Sequence, residues 1–101
     1  MKKLYLDSTN VEDSSTTDNL WVTNHTDAAK VLIYTKIDEL ILKNPTNRDN
    51  NYAIMNFIKT AVSRGRMVPP TIVLESTHKP TRKRFEKDML EINKMWNEFS
   101  A

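Results

Sequence analysis

Chemistry in this chain has to come from a short roster of side chains. The absence of cysteine removes disulfides, thiolate metal sites and thiol nucleophiles together. Two histidines, His25 and His78, lack the HxxxH spacing of a helical zinc pair, and both read as exposed loop residues. What remains sits at the ends of apolar runs. Asp7 follows Leu4-Tyr5-Leu6, Lys43 follows Ile37 to Leu42, and Glu75-Ser76 follow Thr71-Ile72-Val73-Leu74. Asp7 and Ser76 are the candidate catalytic pair, Lys43 a candidate phosphate-binding cation and Glu75 a candidate general base. The same groups also read as a structural ion-pair cluster. A site for a hard cation beside a phosphoryl group needs several carboxylates, and one Asp with one Ser falls short of it. No metal and no cofactor is expected, and the balance leans away from an enzyme.

A second group is Lys79-Pro80-Thr81-Arg82-Lys83-Arg84, at the start of the last helical pattern. Cations at a helix N-terminus cost about 0.3–1 kcal/mol each at the surface. Their presence makes sense if an anion docks there on free backbone N–H groups, with Lys79, Arg82, Lys83 and Arg84 around it. The plainer reading is a solvated basic turn. Single-stranded nucleic acid is held by stacking, and no aromatic residue interleaves these charges; Trp21 and Tyr52 are distant in sequence. A third group is the seam Phe85, Met89, Ile92, Trp96 and Phe99, in steps of four and three. A helix from 82 to 99 is ~27 Å long against ~17–20 Å for short strands. Met95, Trp96 and Phe99 are therefore expected either to overhang the core as an interface with a second subunit or partner, or to fold back over the sheet edge.

The elements that must position these residues alternate. Four β-type runs are legible: Leu4–Leu6, Leu20–Thr23, Ile37–Leu42 and Thr71–Leu74. Thr26 can cap a helix carrying Ala28, Ala29, Leu32 and Ile33 on one side. Asn47 or Asp49 can cap a second, with Ile54, Ile58, Ala61 and Val62 inward, stopping near Gly65, the only glycine. The third starts near Pro80 or Thr81 and spans about 81–99. Strands alternating with helices, without hairpin signals, predict an α/β domain with a parallel sheet covered by helices. The unbroken apolar character of Thr71–Leu74 predicts burial on both faces. A length of 101 residues fits one domain, residues 1–101, with residues 8–19 as a flexible loop.

The order Leu4-Tyr5-Leu6-Asp7, Trp21-Val22-Thr23, Asp27-Ala28-Ala29, Ile37-Asp38-Glu39-Leu40-Ile41-Leu42, Pro70-Thr71-Ile72-Val73-Leu74-Glu75-Ser76 and Arg82 resembles the cyclic-phosphate-processing receiver-like family. These are small relatives of the response-regulator receiver domain, often found in phage and bacterial genomes. The resemblance implies a truncated receiver-like (flavodoxin-like) three-layer fold, with a four-stranded parallel sheet in the order 2-1-3-4 and about three helices. It places the site at the carboxyl ends of the strands, as in other open α/β sheets. Against the family pattern, Asp7 is followed by Ser8 and not by a second acid. Lys43-Asn44-Pro45 stands in place of an Asp-His-Asp type motif, and Glu75-Ser76 in place of His-Ser. Glu12 and Asp13 of the first loop are the remaining acids that could stand in for those missing.

The apolar fraction of 39% and charged fraction of 28% describe an ordinary globule. The longest apolar run, Val31–Tyr34, is too short for a bilayer. The basic start Met1-Lys2-Lys3 meets Asp7 before a signal-like apolar region can form, so a cytoplasmic location is expected, the host cytoplasm if the chain is phage-encoded. The net charge of +2 is small but split, acidic before residue 19 and basic between Arg64 and Lys87. The reading that follows is a degenerate receiver-like binding module, a phage-type inhibitor or adaptor contacting a host protein or a second copy. Alternatives are a phosphoesterase acting on cyclic phosphate ends, and a nucleotide or nucleic-acid binder at the start of the last helix.

Overall fold

Leucines decide where the sheet lies. Leu4, Leu6, Leu40 and Leu42 are each at most 1% exposed, and burial of each such side chain stabilises the fold by about 1.5–3 kcal/mol. In the computed structural model, which describes residues 1–9, 15–43 and 48–100, they fall on the two central strands. The strands are β1 (Lys3–Leu6), β2 (Asn19–Val22), β3 (Glu39–Leu42) and β4 (Thr71–Leu74). All neighbours pair in parallel, in the spatial order β2-β1-β3-β4. This is the α/β class that the alternating pattern predicts, with the strand order and helix number that the resemblance implies. No helix among the described residues is long and apolar enough to cross a membrane.

The helices are α1 (His25–Tyr34), α2 (Arg48–Ser63) and α3 (Lys79–Ser100). The N-cap of α1 is Asn24, two residues before the expected Thr26. Its extended backbone (φ −143°) lets Oδ1 accept from the Asp27 N–H at 2.9 Å. His25 therefore opens a helix and does not lie in a loop. Ile33, expected on the buried side, is 59% exposed, while Val31 and Leu32 pack on the core. Of the two expected caps of α2, Asn47 lies outside the described residues and Asp49 is already helical. The helix stops where expected. Gly65, at φ +67°, sits in the left-handed region, with Gly65 N–H to Val62 O and Arg66 N–H to Ala61 O closing a Schellman turn.

The layering departs from expectation. α1 packs on α2 and α2 on α3, all against the face carrying Leu4, Leu6, Leu40, Leu42, Ile72 and Leu74. The described residues thus form two layers, not three. Crossovers from β2 to β3 and from β3 to β4 advance the same way across the sheet, so right-handedness puts both helices on one side. The connection from β1 to β2 runs the other way, and its described residues contain no helix. Thr71–Leu74 accordingly alternates, with Ile72 and Leu74 buried and Thr71 and Val73 exposed, where burial on both faces was expected.

α3 docks chiefly along α2 and more lightly on β4. Its seam therefore has a longer partner than the strands alone. Met95 and Trp96 pack against the core, and Phe99 stacks on Trp96 with ring centroids 6.1 Å apart. The Phe99 ring lies over Gly65, where a Cβ would overlap it. Met95 and Trp96 thus fold back over the end of α2, while Phe99 keeps 54% of its surface exposed. At the middle of that contact Lys59 Nζ meets Asp88 Oδ1 at 2.6 Å and Glu91 Oε2 at 3.0 Å.

Candidate functional site

The backbone ladder continues one residue past the ends of β1, β3 and β4. Asp7 N–H bonds to Val22 O, Lys43 N–H to Leu6 O, and Glu75 N–H to Leu42 O. This brings Asp7, Lys43 and Glu75 to one rim at the carboxyl ends of the strands, the place where the receiver resemblance puts chemistry. Period-two alternation then aims all three side chains toward the face without helices. Lys43 Nζ pairs with Glu75 Oε2 at 3.4 Å and lies 5.4 Å from the Trp21 ring centroid. Asp7 Oδ1 accepts from both the N–H and the hydroxyl of Thr9, at 3.0 and 2.9 Å, closing a turn. Ser76 Oγ accepts from the His78 N–H at 3.1 Å. Asp7 and Ser76 are thus engaged in local turns. Among the described residues no three histidine or acidic side chains group as a metal site. Asn44, Pro45, Glu12 and Asp13 lie outside the described residues.

The basic start of α3 separates into different roles. Arg82 Nη1 donates to Leu74 O at 3.2 Å and Ser76 O at 2.8 Å, binding the carbonyls at the end of β4. Arg84 lies over the Tyr52 ring, 4.6 Å from its centroid. Thr81 is buried and bonds to His78 Nδ1 at 2.7 Å. Lys79 and Lys83 are exposed and meet no acid among the described residues. Two of the four cations expected around an anion are therefore engaged within the chain. Behind this turn Asn51, 6% exposed, points an unpartnered Nδ2 into a crevice of about 10 Å³, too small for a ligand.

Two features escaped sequence reasoning. The first is the Lys59–Asp88–Glu91 cluster. Burial acts to lower the Lys59 pKa, but the hydrogen bonds and charges of Asp88 and Glu91 outweigh it and hold Lys59 above its ordinary value. Glu91 is held below the usual carboxylate range, first by its hydrogen bond to Lys59 and then by that charge. The available signal was a charged residue on each apolar stripe: Lys59 beside Ile58 and Val62, Asp88 between Phe85 and Ile92. The second is an open groove of about 410 Å³ at the opposite, amino end of the strands, lined in part by Leu32, Ile33, Tyr34, Met67 and Val68. Tyr34 and Val68 are 85% and 68% exposed there.

The sheet face opposite the helices has no covering layer of helices among the described residues. Tyr5 and Trp21 stack across β1 and β2 with centroids 4.3 Å apart and planes 6° from parallel. Val73 on β4 continues the row at 37% exposed, while Ile41 on β3, at 5%, is buried between its neighbours. Lys3 and Glu39 pair at 3.8 Å at one end of this face, and Lys43 and Glu75 at the other. Such a surface offers aromatic contact area flanked by charge pairs, and among the described residues it gathers no converging set of catalytic groups. No protein-family model, curated protein or solved structure matches the chain.

Proposed function

We propose that the chain is a non-catalytic, receiver-like binding module that works in the cytoplasm by contact with protein, as an inhibitor or adaptor. The observation that carries this reading is the pairing of Lys43 with Glu75 on the rim. On the receiver-like reading, a cation occupies the ground reserved for a metal and its acids, and the rim's other acid, Asp7, is engaged by Thr9. The uncovered face beside that rim, with Tyr5 and Trp21 at its centre, has the aromatic enrichment of a protein-contact surface. An anion-binding reading at the start of α3 is weakened by the engagement of Arg82 and Arg84.

The test is turnover of a 2′,3′-cyclic nucleotide with and without Mg²⁺, together with thermal melts in phosphate and Mg²⁺. No turnover by wild type or Asp7→Ala and no stabilisation by either ion is expected. Turnover that disappears in a folded Asp7→Ala protein would overturn the reading in favour of a phosphoesterase.

A further inference from the structure

The uncovered face matches itself in both size and charge. From β2 to β4 its middle row reads Trp21, Tyr5, Ile41, Val73. Bulky rings fill one half and aliphatic side chains the other. The row towards the strand starts reads Asn19, Lys3, Glu39, Thr71. One residue past the strand ends, β1 and β3 present Asp7 and Lys43, followed by Glu75 past β4. Across the two central strands the charges form a checkerboard, Lys3 and Glu39 at one end, Asp7 and Lys43 at the other.

We propose that this face packs against a second copy of the chain, sheet on sheet, about a two-fold axis running along the strands between β1 and β3. That rotation lays β2 on the partner's β4 and β1 on the partner's β3. Trp21 then meets the partner's Val73, which is 37% exposed, and Tyr5 lies over the partner's Ile41, a recessed position only 5% exposed, so that large stands against small and the gap between the sheets stays even. Lys3 faces the partner's Glu39, and Asp7 faces the partner's Lys43. The other two-fold arrangement, with the axis across the strands, also matches the charges. It sets Trp21 on the partner's Trp21 and Val73 on the partner's Val73, a wedge that cannot close.

Edge-to-edge pairing is obstructed on both sides. In the β1–β2 ladder the even-numbered residues of β2 face β1, so the Asn19 and Trp21 N–H groups point outward. Thr16 Oγ1 and Ser15 Oγ accept from them at 3.2 and 3.0 Å. At the other edge Arg82 holds the Leu74 carbonyl. A patch four strands wide and five residues long covers roughly 300 Å² in projection. Two such patches bury less than the ~1,200 Å² of a standard interface, so the dimer is weak, with a Kd in the high micromolar range, below about 1 mM.

This inference rests on the binding-module reading and names its partner. The test is sedimentation of the full chain from about 10 µM to about 1 mM. Wild type should show reversible dimerisation. K3E and E39K, with unchanged circular dichroism, should each weaken it about tenfold, because each sets like charges against one another twice across the axis. An equimolar mixture of K3E and E39K should recover association, since both contacts become attractive again. A mixture of K43E and E39K, with the same net charges, should not recover it. Wild type monomeric throughout, single variants that associate like wild type, or recovery only in the second mixture would each overturn the proposal. A monomer without phosphoesterase turnover would remove the self-association alone. Turnover lost in Asp7→Ala would remove the module reading and leave the sedimentation result standing.

Discussion

Replacing Asp88 with alanine should be among the more damaging single changes on α3, and its cost can be worked from the geometry. The Asp88 side chain is 7% exposed and accepts from Lys59 Nζ at 2.6 Å, while Lys59 itself is 19% exposed. Breaking a fully buried pair costs about 3–5 kcal/mol, because the surviving charge stays desolvated. Here Glu91 remains 3.0 Å from the ammonium and some water reaches it, so the expected loss is about 2–3 kcal/mol. In a domain of this size each kcal/mol moves the melting temperature by about 4–8 °C, so Asp88→Ala should melt roughly 8–24 °C below wild type. The double variant Lys59→Met with Asp88→Leu should recover most of that loss, since an apolar pair has no charge to strand. Calorimetry with urea titration reads both. A shift under about 2 °C for Asp88→Ala, or strict additivity of Lys59→Met and Asp88→Ala, would refute the reasoning.

The same cluster sets a pH dependence. Glu91 titrates below its unfolded value, so its contribution is present above about pH 4.3 and is lost as pH falls through the lower folded value. Lys59 titrates above its unfolded value, so its contribution is present below about pH 10.4 and is lost as pH rises past the folded value. The stability gap between wild type and Lys59→Met should be level near neutrality and narrow at both extremes in urea titrations; a constant gap into strong acid would contradict it. Gly65→Ala should cost about 1–2 kcal/mol for the left-handed backbone alone, and more because the new methyl displaces the Phe99 ring. In a Phe99→Ala background the Gly65→Ala cost should fall, and an equal cost in both backgrounds would mean the ring does not press on that turn.

The sequence carried the connectivity better than the layering. Thr71–Leu74 is bounded by Pro69-Pro70 and a polar stretch, and Gly65 is the lone residue suited to a left-handed stop, so both appeared where expected. The one-sided sheet was hidden because valine at position 73 reads the same whether its face is covered or open. Tyr5 and Trp21 were equally silent, since aromatic residues favour strands in either setting. At the rim, strand order alone brings Asp7, Lys43 and Glu75 together. That Arg82 would turn back onto the Leu74 and Ser76 carbonyls was not legible, because it depends on how closely α3 starts beside β4.

The charged contact between α2 and α3 also bears on alignment. The seam of α3 repeats every seven residues, so apolar packing alone would tolerate a slide of one heptad along α2. After such a slide Met95 or Thr81 would stand opposite Lys59 in place of Asp88. The ammonium would then be left in a half-dry groove without its closest counter-charge. A contact that adds little to cohesion can in this way select one docking position among several of similar greasiness.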